Sequence, residues 1–295
     1  MPGAIAQGLI WGLTAIGVYL TYKILDVADL TVDGSLCTGA AVCAVLITAG
    51  VHPLLAVLAA LAAGAAAGTV TGLLHVFLGI PAILAGILTQ MALWSVNLLI
   101  LNGKSNVPLS ARSNRVLLSL ADIPHALLVA LLFTACLIAL LYLFFGTEFG
   151  AAIRATGSGP IMSRAQGINT DLTKVVGIAL SNGIVALGGA LLAQYQGFAD
   201  INMGRGAIVI GLAAVVIGGA IVSRLRRNFA LSLAGVSVGA IVYYVVYQAV
   251  IALGLDTNLL KMLSAVVVAV FLGVPYVRKK LARSAVRKGE TKCSN

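Results

Sequence analysis

The chain has 295 residues; 60% are hydrophobic, 9% are charged and the formal net charge is +10. A soluble domain carries about 25% charged residues, so this composition excludes most soluble chemistry. It describes an integral membrane protein whose basic residues mark one membrane face, and no nucleic-acid partner is expected.

A spanning helix needs about 20 mostly apolar residues. In chain order the candidate spans are Gly3–Leu25, Leu36–Gly50, Pro53–Leu78, Pro81–Leu101, His125–Phe145, Thr173–Tyr195, Ala207–Val222, Phe229–Leu253 and Leu260–Val277. The first is too long, and lacks the basic flank, for a signal peptide. The predicted fold is all-α, with about nine transmembrane helices. Residues 1–277 form the transmembrane domain, 147–172 a polar interruption within it, and 278–295 a basic tail. Placing that tail inside puts 14 of the 19 Lys and Arg residues inside, an N-out, C-in orientation. Lys104, Arg112, Arg115, Arg205 and Lys261 then fall outside.

The first break, Ala28-Asp29-Leu30-Thr31-Val32-Asp33-Gly34, parallels Ala199-Asp200-Ile201-Asn202-Met203-Gly204-Arg205-Gly206 with one residue inserted. Each copy precedes an unusually short span, and the intervening spans make the copies point in opposite directions. Inverted repeats with interrupted helices are a transporter signature, and the breaks line the substrate path. Asp29, Thr31, Asp33 and Ser35 of the first break are therefore candidate path residues, with Asp200 and Asn202 of the second. A carboxylate at membrane depth faces a cavity or a partner. The alternative is that Asp26, Asp29 and Asp33 are simply solvated at the cytoplasmic surface. Gln90, Asn97, Ser181, Asn182, Gln194, Tyr195 and Gln248 are further polar groups near the path, each with interhelical hydrogen bonding as its alternative role.

Gly64, Gly68 and Gly72 recur every four residues, with Ala60 extending the stripe; Gly8 with Gly12 and Gly235 with Gly239 repeat the spacing. Small residues at this interval let helix backbones approach closely, within one bundle or between two copies.

In the polar interruption, Phe149, Ala152 and Ile153 have helical spacing and Gly157 is a candidate stop. A second short helix is expected over Ile161–Gln166. Two such amphipathic helices make a docking surface.

Phe149-Gly150-x-x-Ile153-Arg154-Ala155-x-Gly157, Arg164-Ala165-x-Gly167-Ile168-Asn169, Ser181 and Gly188-Gly189-Ala190 resemble the permease subunits of branched-chain amino-acid and ribose-type ABC importers. The string from Ile24 to Ser35 is most similar to a subgroup linked to aromatic amino-acid (tryptophan or tyrosine) uptake. The resemblance implies a permease dimer in the bacterial inner membrane, fed by an extracytoplasmic binding protein and driven by separate ATPase subunits. By carry-over, Glu148, Phe149, Gly150, Ile153, Arg154, Ala155 and Gly157 match the ATPase-coupling helix, followed by Arg164 and Gly167. The chain departs from the branched-chain pattern at Asp33, so that subfamily's substrate preference does not transfer.

No motor of its own is expected. Gly103-Lys104-Ser105 ends like a phosphate-binding loop, but Leu98 stands at its first glycine position. Gly157-Ser158-Gly159 lacks the third glycine of a dinucleotide fingerprint, with Met162 there. His52, His75 and His125 are far apart in sequence, and Cys37, Cys43, Cys136 and Cys293 lack paired metal spacing. The chain is thus expected to bind no cofactor, with ATP and Mg²⁺ used by the partner. The rival readings are an ion-coupled secondary transporter and an ABC permease for a nucleoside or sugar.

Overall fold

The computed structural model describes residues 2–109, 116–222, 228–252 and 269. The chain divides into two units, 1–248 and 249–295. Of the second, the described residues are the last turn of a helix and Ala269, so the architecture below is that of the first. Apart from Ala269, the span at Leu260–Val277 lies outside the described residues, as do the tail and the basic cluster Arg224 to Arg227.

Helix α1 (Pro2–Tyr19) continues into a π-helical turn, Leu20–Ile24. Then follow α2 (Val32–Thr48), α3 (Pro53–Val76), α4 (Ala82–Ile100), a short strand β1 (Asn106–Pro108) and α5 (Ile123–Gly146). Two short helices come next, α6 (Glu148–Ser158) and α7 (Pro160–Ala165), then α8 (Thr170–Gln196), β2 (Phe198–Asp200), α9 (Ala207–Ile221) and α10 (Phe229–Ala252). Six of these elements are long and apolar enough to cross a membrane, and α2 and α9 are shorter apolar helices.

Caps explain where several helices begin. Pro53 opens α3 while the His52 imidazole accepts the Leu54 amide at 3.3 Å. Thr147 caps α6 by accepting the Gly150 amide. Asn169 accepts two amides of α8, from Asp171 and Leu172, and Gly197 closes that helix at φ 79°. Each cap satisfies backbone groups that a helix end leaves unpaired.

Helix α8 is the axis of the bundle, with α1, α2 and α3 packed around it. The Gly64/Gly68/Gly72 stripe is where α3 meets it. A Cβ at Gly68 would fall 2.6 Å from the Ile178 carbonyl oxygen, and one at Gly72 would fall 2.9 Å from the Val175 Cα. Gly8 and Gly12 seat α1 against Ile241 and Ser237 of α10, and Gly239 seats α10 against Ala214 and Gly218 of α9. All three small-residue stripes are therefore used inside this chain.

The bundle has two unlike ends. At one, α6 and α7 gather with Lys23, Arg154, Arg164 and Lys174; an Arg164–Asp171 ion pair of 2.6 Å ties α7 to α8. At the other, β1 pairs antiparallel with β2, Val107 opposite Ala199. This ribbon is absent from the sequence reading. It forms because the chain after α4 is held against the chain after α8, the Leu109 amide donating to the Gly197 carbonyl at 2.7 Å.

Three boundaries differ from expectation. α2 starts at Val32, so Asp33 and Ser35 lie in its first two turns and not in the break. An acid in a first turn is favoured by the helix dipole, which draws the helix start forward. The non-helical break is instead Leu25–Thr31. Gly157 does not stop α6, which runs one residue further; Gly157 is the point where α6 touches the Ile24 backbone.

Candidate functional site at the junction of two half-length helices

α2 and α9 both start inside the bundle. Asn182 is the thirteenth of the 27 residues of α8. At 1.5 Å per residue it sits about 18 Å from one end and about 21 Å from the other. Its side chain meets the break: Asn182 Nδ2 donates to Asp29 Oδ2 at 2.6 Å, and Ser35 Oγ donates to Asn182 Oδ1 at 2.6 Å. From there α2 climbs toward the ribbon end, where Gln194 Nε2 reaches Cys43 Sγ at 3.3 Å. α9 runs the other way, passing Val18 at Gly211 and Gly235 at Gly218. Its first amides are held by α2: Asp33 accepts the Gly206 and Ile208 N–H groups, each at 2.9 Å. Two half-helices thus start at mid-depth and run to opposite ends.

The candidate path residues fall into three settings. Asp29, Thr31 and Ser35 form a closed polar knot. Asp29 is 3% exposed, and its Oδ1 accepts the Thr31 amide at 2.9 Å. Thr31 Oγ1 pairs with Thr71 Oγ1 of α3 at 2.8 Å. The knot joins the break, α2, α3 and α8, at mid-depth and not at a solvated surface. Asp33 alone of the six candidates lines the nearby cavity. Asp200 and Asn202 lie on the turn leading into α9, where Asp200 Oδ1 accepts the Asn202 amide at 2.7 Å.

That cavity encloses about 450 Å³ and is open to the outside. One wall is α4, contributing Ile87, Gln90, Met91, Trp94 and Asn97; the opposite wall is Asp33, Gly34 and Cys37 of α2 with Ile201 and Arg205. The α4 residues recur at helical spacing and share one face. Asn97 is 1% exposed; its Nδ2 makes a long 3.5 Å contact to the Gly34 carbonyl, and its Oδ1 has no partner among the described residues. Arg205, one of the expected outer charges, belongs to this wall. The sequence reading singled out Gln90 and Asn97 but missed Arg205 and the apolar trio Ile87, Met91 and Trp94 as site residues. The position of Arg205 inside the second repeat copy was the available signal.

The residues of the loop helices form a second site. Ile153 of α6 is buried, whereas Glu148, Arg154 and Arg164 are exposed. Arg154 Nη2 donates to the Phe145 carbonyl at 2.7 Å, and Thr156 Oγ1 pairs with Thr173 Oγ1 at 2.9 Å. Phe149 packs edge-on to Phe144, and Gly150 lets α6 close against the Phe144–Phe145 backbone. Ala155 and Gly157 are partly buried, and Gly167, at φ 83°, turns the chain toward α8. On α7, Ile161 is 88% exposed and Met162 69% exposed. Among the described residues no group of three or more His, Cys, Asp or Glu side chains could hold a metal ion.

The profile of a family described as the branched-chain amino acid transport system permease component matches residues 2–283. A tyrosine transport system permease protein of Clostridioides difficile is 40% identical over 266 residues, covering 90% of this chain and 88% of its own length. An uncharacterised protein of Rickettsia prowazekii is 33% identical, covering 91% and 95%. An autoinducer 2 import system permease protein of Salmonella paratyphi B is 31% identical over 211 residues, covering 70% and 59%. No solved structure matches the chain.

Proposed function

We propose that this chain, which belongs to the family of branched-chain amino acid transport system permease components, forms the membrane path of an ATP-driven importer for a small polar solute, an amino acid of aromatic or branched-chain type. It is a multi-pass protein of the bacterial inner membrane. The observation that carries the reading is the mid-depth junction of α2 and α9 beside an open cavity bearing Asp33 and Arg205. Interrupted helices of this kind surround substrate sites in transporters. The tyrosine transport relative supports the aromatic choice.

In this reading the α6–α7 end faces the cytoplasm and the ribbon end faces the binding protein. Two permease copies sit on two ATPase subunits. The apolar pair Ile161 and Met162 is the docking contact. Closure of the ATPases moves α6, and α6 bears on Ile24 through Gly157. Ile24 leads directly into the Leu25–Thr31 break, so the movement reaches the α2–α9 junction without crossing another helix. ATP does work through its differential affinity for the two permease conformations.

The decisive test is reconstitution of the permease with its ATPase and binding protein in proteoliposomes, following uptake of labelled tyrosine, tryptophan, leucine and ribose. ATP-dependent uptake of an amino acid is the expected result. Uptake by the permease alone, driven by an ion gradient, would replace the reading with a secondary transporter. ATP-dependent uptake of ribose alone would overturn the substrate class.

Two predictions concern the loop helices. Arg154→Ala removes the donor to the Phe145 carbonyl and is expected to cut uptake per ATP hydrolysed at least fivefold while the ATPase keeps turning over. An unchanged ratio of solute moved to ATP spent would deny Arg154 a coupling role. Ile161→Asp with Met162→Asp should abolish co-purification of the ATPase without lowering permease yield, because both side chains are exposed. Retention of the ATPase by that double variant would place docking elsewhere.

A further inference from the structure

We infer that the cavity between α2 and α4 is a binding station for a zwitterionic α-amino acid with a large apolar or aromatic side chain, held by Arg205 at its carboxylate and by Asp33 and Asn97 at its ammonium group. This rests on the transport reading above and gives it a site and a chemistry.

Polar groups around the cavity have hydrogen-bonding capacity left over. The Arg205 guanidinium makes no hydrogen bond or ion pair with the described residues, although Asp33 lines the same cavity. A guanidinium presents five donors in a planar fork that matches a carboxylate. Asp33 accepts from the amides that start α9, Gly206 on Oδ2 and Ile208 on Oδ1, with the Ala207 amide also turned toward it; a carboxylate has about four acceptor sites, so capacity remains. Asn97 adds a buried acceptor, Oδ1, with no partner among the described residues. Buried polar atoms are normally paired, and an orphan facing a cavity calls for a ligand donor. One wall thus offers a free cation, while acceptors on both walls remain for a cation on the ligand.

The remaining lining is apolar. Ile87, Met91 and Trp94 stand one helical turn apart on α4 and expose 36%, 68% and 46% of their surfaces. Apolar walls with a few convergent polar groups are what a small-molecule site requires, and about 450 Å³ is within the usual range. A sugar has no charge to match Arg205 and Asp33 together. A zwitterion satisfies both, and its side chain is left against Trp94, where ring stacking is available.

The test is binding of L-tyrosine to the purified full-length permease in nanodiscs, with tyramine, N-acetyl-tyrosine, L-leucine and ribose as competitors. Tyramine lacks the carboxylate and N-acetyl-tyrosine lacks the ammonium. Each is expected to bind at least tenfold more weakly than tyrosine, and ribose not to compete. Arg205→Gln, at an exposed side chain, should weaken tyrosine at least tenfold and leave tyrosine and tyramine equal. Trp94→Ala should weaken tyrosine more than leucine. Tyramine binding as tightly as tyrosine, an unaffected Arg205→Gln variant, or no amino-acid binding at millimolar concentration would each overturn the site. A permease that still imports amino acids with its ATPase, yet fails here, loses this site and keeps its function; one that imports only ribose loses both.

Discussion

Asp29→Ala is expected to destabilise the folded bundle by about 3 kcal/mol, because each orphaned buried donor costs roughly 1–3 kcal/mol. The carboxylate is buried, accepts from Asn182 Nδ2 and the Thr31 amide, and terminates a network that reaches Ser35 and Thr71. Its removal leaves the Thr31 N–H and one Asn182 Nδ2 N–H without acceptors at mid-depth, where no water is at hand, while the other Nδ2 N–H keeps the Ile178 carbonyl at 3.0 Å. Asp29→Asn keeps one acceptor but adds a donor facing the Asn182 amide, so a smaller loss is expected. The measurement is thermal unfolding in detergent, combined as a double-mutant cycle with Asn182→Ala. A coupling energy of about 1 kcal/mol or more is expected for partners in one network. Zero coupling would mean that the Asp29–Asn182 contact holds nothing together.

Gly189→Val is expected to have an equally large effect through packing alone. A Cβ at Gly189 would run into the Leu36 carbonyl, and one at Gly39, on the facing side of the same crossing, would run into the Ala186 backbone. Both obstacles are backbone atoms, which cannot rotate away. Overpacking typically costs 1–3 kcal/mol and occasionally more, and here the helix that must retreat also carries Ser35 of the knot. Gly189→Val should therefore yield little folded permease, whereas the same substitution at Gly146, where an added Cβ meets nothing, should leave yield within about twofold. Equal yields would show that α2 and α8 can part without consequence. Gly188 is a milder case, because its nearest obstacle is the Thr14 hydroxyl, which can move.

The contrast between the two copies of the repeat explains much of what could be read in advance. The short spans were legible because α2 and α9 are flanked by acids, glycines and Asn202, which interrupt the apolar pattern. The glycine stripes were legible because a period of four in a helix is a face. The helices of the 147–172 interruption were legible from Phe149, Ala152 and Ile153. Which acid does what was not legible. Asp29 and Asp33 are four residues apart in near-identical sequence surroundings, yet one closes a knot on Asn182 and the other caps α9 beside a cavity. Those partners are more than 150 residues away along the chain.

Composition and periodicity alone determined that this protein is a helical membrane bundle, since so few charges and so many long apolar runs have no other stable arrangement in water or lipid. They also located the breaks to within a few residues, because local backbone freedom and polarity are properties of neighbours in sequence. Only the tertiary structure decided the depth of the break, the π-helical turn under α6, the β1–β2 ribbon and the gathering of Arg205 and Trp94 around one cavity. Each of those depends on which backbones approach which, and close approach is a sum over distant small residues that no local pattern encodes.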